Sequence, residues 1–368
     1  MKSFEYWKKL HESELLEEFS SDTDGLLWLK TKSIVRKDVI AEFLAQNGIT
    51  LESTSLNGQF IELFDVLSNN VPNSHKLLDE YIVTKNKELL AGLDDKQLVS
   101  ELYKLKTFDW GGDYQNSLDK YLVSRYVKVI KSYDTLISKF DTEINIAVQG
   151  YVLNSWYNHW SSILIEHIFK SHKSVLPTVG QIKHVDFFIG NVPFDLKVTY
   201  LPAEYIKAKR NEFGYPVELT FLKSKAREME IDFDKTASST DIYYEITEKL
   251  KDKGTAECLQ VIEALKREKL AILDETQKRP HILSKWLYEN QGEMRFGSEN
   301  RLYLILVDTV NFSDSWKLKR NTALLKPAIK NFLDRLKTNS NSHKKVNFTY
   351  KDKPYSALAH VLFIIKSK

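Results

Sequence analysis

Residues Val185–Thr199, VDFFIGNVPFDLKVT, form the most informative segment of this sequence. Two apolar segments, 185–189 and 193–200, flank Gly190-Asn191-Val192, and this pattern predicts two antiparallel strands joined by a tight turn. Because side chains alternate along a strand, the second strand has one apolar face and one polar face, which carries Asp195, Lys197 and Thr199. The stretch therefore predicts a hairpin that presents an acid and a lysine side by side.

The sequence on either side of the hairpin alternates between helical and strand patterns. Apolar residues recur at helical spacing over 154–172, and Pro177 and Gly180 then predict a break in the chain. Two continuous apolar runs, 301–307 and 360–366, are typical of strands buried on both faces. Helices are expected near 202–211, 241–251, 256–269, 279–290 and 314–337. The fold class predicted is α/β, a mixed sheet flanked by helices.

The first part of the chain differs from the rest. Apolar spacings of three and four recur through about residue 145, which indicates an all-helical N-terminal region. Two domains are expected, a helical one over 1–145 and an α/β one over 146–368. The first 150 residues hold 18 Lys and Arg against 24 Asp and Glu, and the remainder holds 35 against 26. A basic second half suggests a polyanionic partner.

The hairpin carries the residues that suggest chemistry. A charge on an apolar strand is costly unless it is paired or bound, yet Asp195 and Lys197 share one face and Asp186 starts the preceding strand. Carboxylates are ligands that Mg²⁺ prefers, and a bound metal polarises a phosphate oxygen and activates water. A lysine can orient that water or stabilise the charge that develops on the phosphate. Two carboxylates and a lysine suit hydrolysis of a phosphodiester.

These residues resemble the motif of the PD-(D/E)XK nuclease superfamily, whose best-populated branch is the type II restriction endonucleases. The resemblance covers about residues 166–199 and implies a restriction-endonuclease-like sheet. It implies that Asp186, Asp195 and the Leu196 carbonyl bind Mg²⁺, with Mn²⁺ as a substitute. It also implies that Lys197 acts on the water or the transition state, and that Glu166 on the preceding helix is an accessory ligand. Val185 stands where the family has proline, and Asp195 where glutamate is commoner.

The context of the motif distinguishes it from a chance match. Only one other acid is followed two positions later by lysine, Asp94 before Lys96, and that pair lies in a polar turn (GLDDKQL) that predicts a helix start. The single cysteine, Cys258, excludes a disulfide framework or a cysteine-based zinc site within the chain. No HExxH, GxxxxGK[ST] or GxSxG motif occurs, which argues against a zinc hydrolase, an ATP-driven enzyme and a serine hydrolase of that type.

Basic residues outside the motif are candidates for contact with DNA phosphates. Residues 317–353 hold 11 Lys and Arg against two Asp, although such runs are also typical of solvated surfaces. Arg295 and Arg301 could read guanine edges or phosphates, or Arg301 could pair with a nearby acid. The full candidate set is Lys183, Thr199, Lys207, Lys209, Arg210, Arg295, Arg301, Lys317, Lys319 and Arg320.

The expected function is therefore a Mg²⁺-dependent endonuclease of double-stranded DNA, resembling a sequence-specific type II restriction enzyme. Such an enzyme would act as a homodimer and would have a cognate DNA methyltransferase as a separate protein. No signal peptide or membrane-spanning run is visible, so an intracellular location is expected, and the resemblance implies the cytoplasm of a prokaryotic cell. The alternatives are another nuclease of the superfamily, in repair, transposition or phage defence, and a non-catalytic DNA-binding protein in which Asp195 and Lys197 are structural.

Overall fold

The computed structural model describes residues 2–108, 118–237, 239–290, 298–338 and 343–367. Up to residue 170 these ranges hold helices and no strand, which confirms the helical N-terminal region. The helices are α1 (Phe4–Glu12), α2 (Thr23–Ile34), α3 (Lys37–Asn47), α4 (Leu56–Ser68), α5 (Val71–Ala91), α6 (Asp95–Leu102), α7 (Leu118–Leu122), α8 (Tyr133–Lys139) and α9 (Asn145–Lys170). Short 3₁₀ (Glu18–Ser20) and π-helical (Val123–Val127, Phe140–Ile144) turns join some of them.

The remainder is mixed α/β, as predicted. The strands are β1 (Val175–Ile182), β2 (Val185–Ile189), β3 (Val192–Tyr200), β4 (Arg301–Asp308), β5 (Lys345–Tyr350) and β6 (Lys353–Lys366). Between β3 and β4 lie α10 (Ala203–Glu212), α11 (Glu218–Glu228), α12 (Ser239–Lys253), α13 (Ala256–Lys278) and α14 (Pro280–Glu289). A 3₁₀ helix (Phe312–Arg320) and α15 (Thr322–Thr338) follow β4.

The six strands form one mixed sheet in the order β1-β2-β3-β4-β6-β5. Strand β2 is antiparallel to both of its neighbours, β1 and β3, whereas β4 runs parallel to β3 and to β6, and β5 is antiparallel to β6. Strand β4 is buried along its whole length, as its continuous apolar run predicted. In the part of the chain that the structure describes, no helix is both long and apolar enough to cross a bilayer.

The break predicted at Pro177 and Gly180 is wrong, because both residues lie inside β1. Pro177 is opposite Phe187 of β2, and the register shifts between Pro177 and Ile182. Gly180 is explained by packing, since a Cβ atom there would lie 2.5 Å from the carbonyl oxygen of Ser33 in α2. Gly180 does not end the strand. Its lack of a side chain allows α2 to approach β1 closely.

The N-terminal helices share a hydrophobic core with the sheet. Buried side chains of α1–α5, such as Trp7, Trp28 and Phe64, form one cluster with Ile182 of β1 and Phe188 of β2. A division into domains near residue 145 stays a prediction, although α9 does begin at that point. A second cluster joins α9 and α15 to one face of the sheet, and a third joins α13 and α14 to the other.

Candidate active site

The β2–β3 hairpin places the motif residues. Gly190 and Asn191 have φ values of 57° and 66°, and Ile189 pairs directly with Val192, so the loop has two residues instead of the three expected. Two successive left-handed residues fit the twist of a tight hairpin, and glycine and asparagine adopt them most readily. The turn fixes the register that sets Phe187 opposite Phe194.

Asp195 and Lys197 lie on the same face of β3, as the alternation predicted. Lys197 Nζ is 2.9 Å from Asp195 Oδ1 and 2.7 Å from Oδ2. Asp195 is only 6% exposed, whereas the Lys197 side chain is 46% exposed. Burial raises the pKa of Asp195, and the charge of Lys197 opposes that rise. The strand therefore holds a buried carboxylate below an ammonium group that solvent can reach.

Asp186 reaches the same point from the neighbouring strand. The β2–β3 ladder ends at the Phe187–Phe194 pair, and Asp186 Oδ2 accepts a hydrogen bond of 2.7 Å from the backbone N–H of Leu196. The Asp195 N–H donates toward β4, to Asn300 O. Since successive peptide groups point to opposite sides of a strand, the Leu196 carbonyl points toward β2, the side on which Asp186 lies.

The neighbouring acids act on the pKa of Asp186. Burial, with the charges of Asp195 and Glu166, raises the Asp186 pKa from 3.8 to about 6, and the Leu196 N–H bond and Lys170 oppose that rise. Glu166 lies on α9, where Lys170 Nζ is 3.1 Å from its Oε2. The structure thus brings the four predicted residues, Glu166, Asp186, Asp195 and Lys197, into one neighbourhood.

The oxygen atoms at the hairpin are of the kind that Mg²⁺ prefers. Among the described residues, no group of three or more His, Cys, Asp or Glu side chains is placed to hold a metal ion. The motif, however, offers two carboxylates and a backbone carbonyl, and Mg²⁺ normally completes such a set with water. Asp195 Oδ2 is buried and receives no directed hydrogen bond, although Lys197 Nζ lies 2.7 Å from it. In chemical type these residues suit Mg²⁺.

Arg301 and Glu299 form a buried ion pair next to Asp195. The sequence did not predict that Glu299 is the partner or that the pair adjoins Asp195. Arg301 Nε lies 3.6 Å from Asp195 Oδ2 and 2.9 Å from Glu299 Oε1, and both Arg301 and Glu299 are at least 98% buried. Arg301 pairs with an acid, which was the alternative to its contact with DNA, and its side chain lies next to Asp195 on the adjacent strand. The parallel register that sets Asp195 opposite Arg301 is a long-range feature that no spacing in the sequence reveals.

Four more of the predicted DNA contacts are buried inside the protein. Lys209 lies within 3.2 Å of Glu212 and Glu275, and Arg210 pairs with Glu268. Lys319 donates to Asn158, and Arg320 donates to the carbonyls of Leu102 and Leu105. These contacts and their burial account for the four cations structurally, so this conformation does not offer them to DNA.

The other predicted DNA contacts are more accessible. Lys183, Lys207 and Lys317 are at least 38% exposed, and each lies near an acid: Glu14, Glu204 and Asp314. Thr199 is half-buried, and Arg295 lies outside the described residues. Because solvent reaches these three lysines, their contact with DNA stays a prediction.

No protein-family model matches this chain, and comparisons with curated proteins and with solved structures find no match either.

Proposed function

We propose that this protein is a Mg²⁺-dependent phosphodiesterase that cuts double-stranded DNA with the residues of the β2–β3 hairpin. One observation carries the proposal: Asp186 accepts a hydrogen bond from the backbone N–H of Leu196, the residue between Asp195 and Lys197, whose side chains are themselves paired. A purely structural Asp195–Lys197 pair gives no reason for a second carboxylate, with a raised pKa, at the same point. Clusters of acids with perturbed pKa values are typical of functional sites.

Each residue has a distinct task in this proposal. A Mg²⁺ ion held by Asp186, Asp195 and the Leu196 carbonyl would supply charge for the phosphate oxygens and a more acidic bound water. The Lys197 ammonium group is exposed enough to contact the phosphate or to orient the attacking water. Arg301, paired with Glu299, is a second cation near Asp195 Oδ2 and helps to hold that carboxylate in place.

The finer parts of the proposal rest on the resemblance of the motif to PD-(D/E)XK nucleases. They are a restriction-endonuclease-like fold, sequence-specific cutting of the type II kind, a homodimer, a separate methyltransferase and a cytoplasmic setting in a prokaryote. The hairpin preceded by a helix with a single acid, Glu166, fits that resemblance. A nuclease of the same superfamily in repair, transposition or phage defence would use the same site.

The test is cleavage of plasmid and phage DNA in Mg²⁺ or in EDTA by the wild type, Asp195→Ala and Lys197→Ala. The matched control is Lys96→Ala, which alters the second acid-x-lysine at the start of α6. Discrete fragments that require Mg²⁺, persist in the control and vanish in the two site variants support a restriction enzyme. Random degradation with the same dependence favours the other nucleases. If the wild type and all the variants bind DNA and none of them cuts it, the catalytic proposal is contradicted.

A further inference from the structure

A cleft of about 560 Å³ lies between the N-terminal helices and the sheet. One wall comes from the C-terminal half of α5, including Val83, Lys87 and Leu90, and the other from the end of α9 and the start of β1. The cleft is therefore shared between the acidic first part of the chain and the basic second part.

The polar lining of this cleft is basic. It contains Lys87, Lys170 and Lys173 and no aspartate or glutamate. Lys87 and Lys173 are exposed, and neither forms an ion pair within the described ranges, whereas many other lysines of this protein lie beside an acid. Two cations with no acid beside them in the part of the chain that the structure describes leave positive charge for an external anion.

The histidines of the lining are held by acids that lie outside it. His167 Nδ1 is 2.7 Å from Asp95 Oδ1, and His172 Nε2 is 3.2 Å from Asp334 Oδ1. These contacts fix the end of α9 and orient the backbone that carries Lys170 and Lys173. The cationic wall is thus supported by the fold.

The cleft adjoins the candidate active site. Lys170, in its lining, lies 3.1 Å from Glu166, and its charge acts on Asp186. Pro177, also in the lining, pairs with Phe187, the neighbour of Asp186. A polyanion that passes over Asp186 and Lys197 could continue into the cleft.

We propose that this cleft binds the backbone of duplex DNA beside the phosphate that is cut, with Lys87 and Lys173 contacting phosphates. The inference rests on the proposed function and adds to it a second binding surface, to which the acidic N-terminal region contributes a lysine. Lysines that neutralise phosphates release counterions, so each contact adds affinity that falls with salt. The apolar side chains between the lysines suit the sugar edges of the strand.

The test measures binding in EDTA, so that it does not depend on cleavage. A fluorescein-labelled 30-bp duplex is titrated with the full-length chain in 50–300 mM KCl and followed by anisotropy. We expect Lys87→Gln/Lys173→Gln to weaken binding roughly fivefold to tenfold for each lysine at 100 mM salt, and to reduce the salt slope by about two. Lys87→Arg/Lys173→Arg should retain binding, and Lys278→Gln on α13, which loses one exposed lysine elsewhere, should change affinity less than twofold.

The outcomes separate this inference from the proposed function. If the wild type cuts DNA in Mg²⁺ and the double Gln variant keeps the wild-type affinity and salt slope, the cleft is not a DNA site and only this inference fails. A loss in Lys278→Gln that equals the loss per lysine in the double variant also overturns it, because the effect is then one of net charge. If the wild type neither binds nor cuts duplex DNA, both proposals fail.

Discussion

Replacing Asp186 with asparagine should stabilise the metal-free protein while it abolishes cleavage. The Asp186 pKa is raised from 3.8 to about 6, and one pKa unit corresponds to about 1.4 kcal/mol. At pH 7.5 the ionised carboxylate therefore costs the folded state about 3 kcal/mol. Asparagine removes the charge and keeps an oxygen that can accept the Leu196 N–H bond, so most of that cost should be recovered.

The sign of the pH dependence makes this prediction specific. Between pH 3.8 and 6 the folded state binds more protons at Asp186 than the unfolded state, so the wild type loses stability from this group as the pH rises. The advantage of Asp186→Asn should be about 3 kcal/mol at pH 7.5 and about 1.5 kcal/mol at pH 5. Mg²⁺ should stabilise the wild type by binding the folded state, and should stabilise the variant less.

Urea unfolding in EDTA and in Mg²⁺ measures both effects, read as shifts of the midpoint at unchanged slope. The control is Asp252→Asn, an exposed acid on α12, which should change stability by less than about 0.5 kcal/mol. The reasoning holds that burial and nearby charges make the ionised Asp186 carboxylate destabilising. An Asp186→Asn variant that is no more stable than the wild type at pH 7.5, or whose added stability does not depend on pH, would refute it.

Three further predictions concern other parts of the molecule. Arg301→Gln removes the guanidinium that pairs with the buried Glu299 and leaves it the more distant His184 Nδ1, at 3.6 Å, so urea unfolding should show a loss of about 3 kcal/mol, together with reduced cleavage; a loss under 1 kcal/mol would contradict a supporting role. Burial lowers the His360 pKa from 6.5 to about 3, so this group costs stability as the pH falls below 6.5, about 2 kcal/mol by pH 5. His360→Gln should flatten the slope of unfolding free energy against pH by one proton. If the homodimer uses the exposed apolar side chains of residues 123–153, Val127→Glu/Ile137→Glu, at positions 62% and 46% exposed, should yield monomers by light scattering; a wild type that is itself monomeric would exclude that dimer.

Local features of the sequence were enough to predict the hairpin and its faces. Gly190-Asn191 determines a tight turn through backbone conformation alone, and strand alternation then places Asp195 beside Lys197. Both rules act within a few residues of the chain. The helical N-terminal region and the buried strand β4 were predicted for the same reason, since the periodicity of apolar residues is local.

Predictions failed where a residue's role depends on a distant partner. Gly180 was interpreted as a break, but it is small because α2 packs against β1. Lys319 and Arg320 were interpreted as part of a DNA-binding run, but Asn158 and backbone carbonyls far away in the sequence bind them. Charge and residue type alone do not tell a buried cation from an exposed one.

The chemistry that the β2–β3 hairpin can offer follows from its residues alone: an acid and a lysine lie on one strand face, and a second acid lies on the preceding strand. Which groups surround them depends on the packing of distant elements. The parallel register with β4 placed Arg301 beside Asp195, and the packing of α5 against β1 formed the basic cleft. Turns and alternation follow from neighbouring residues, whereas register and helix packing depend on side chains more than eighty residues apart in the sequence.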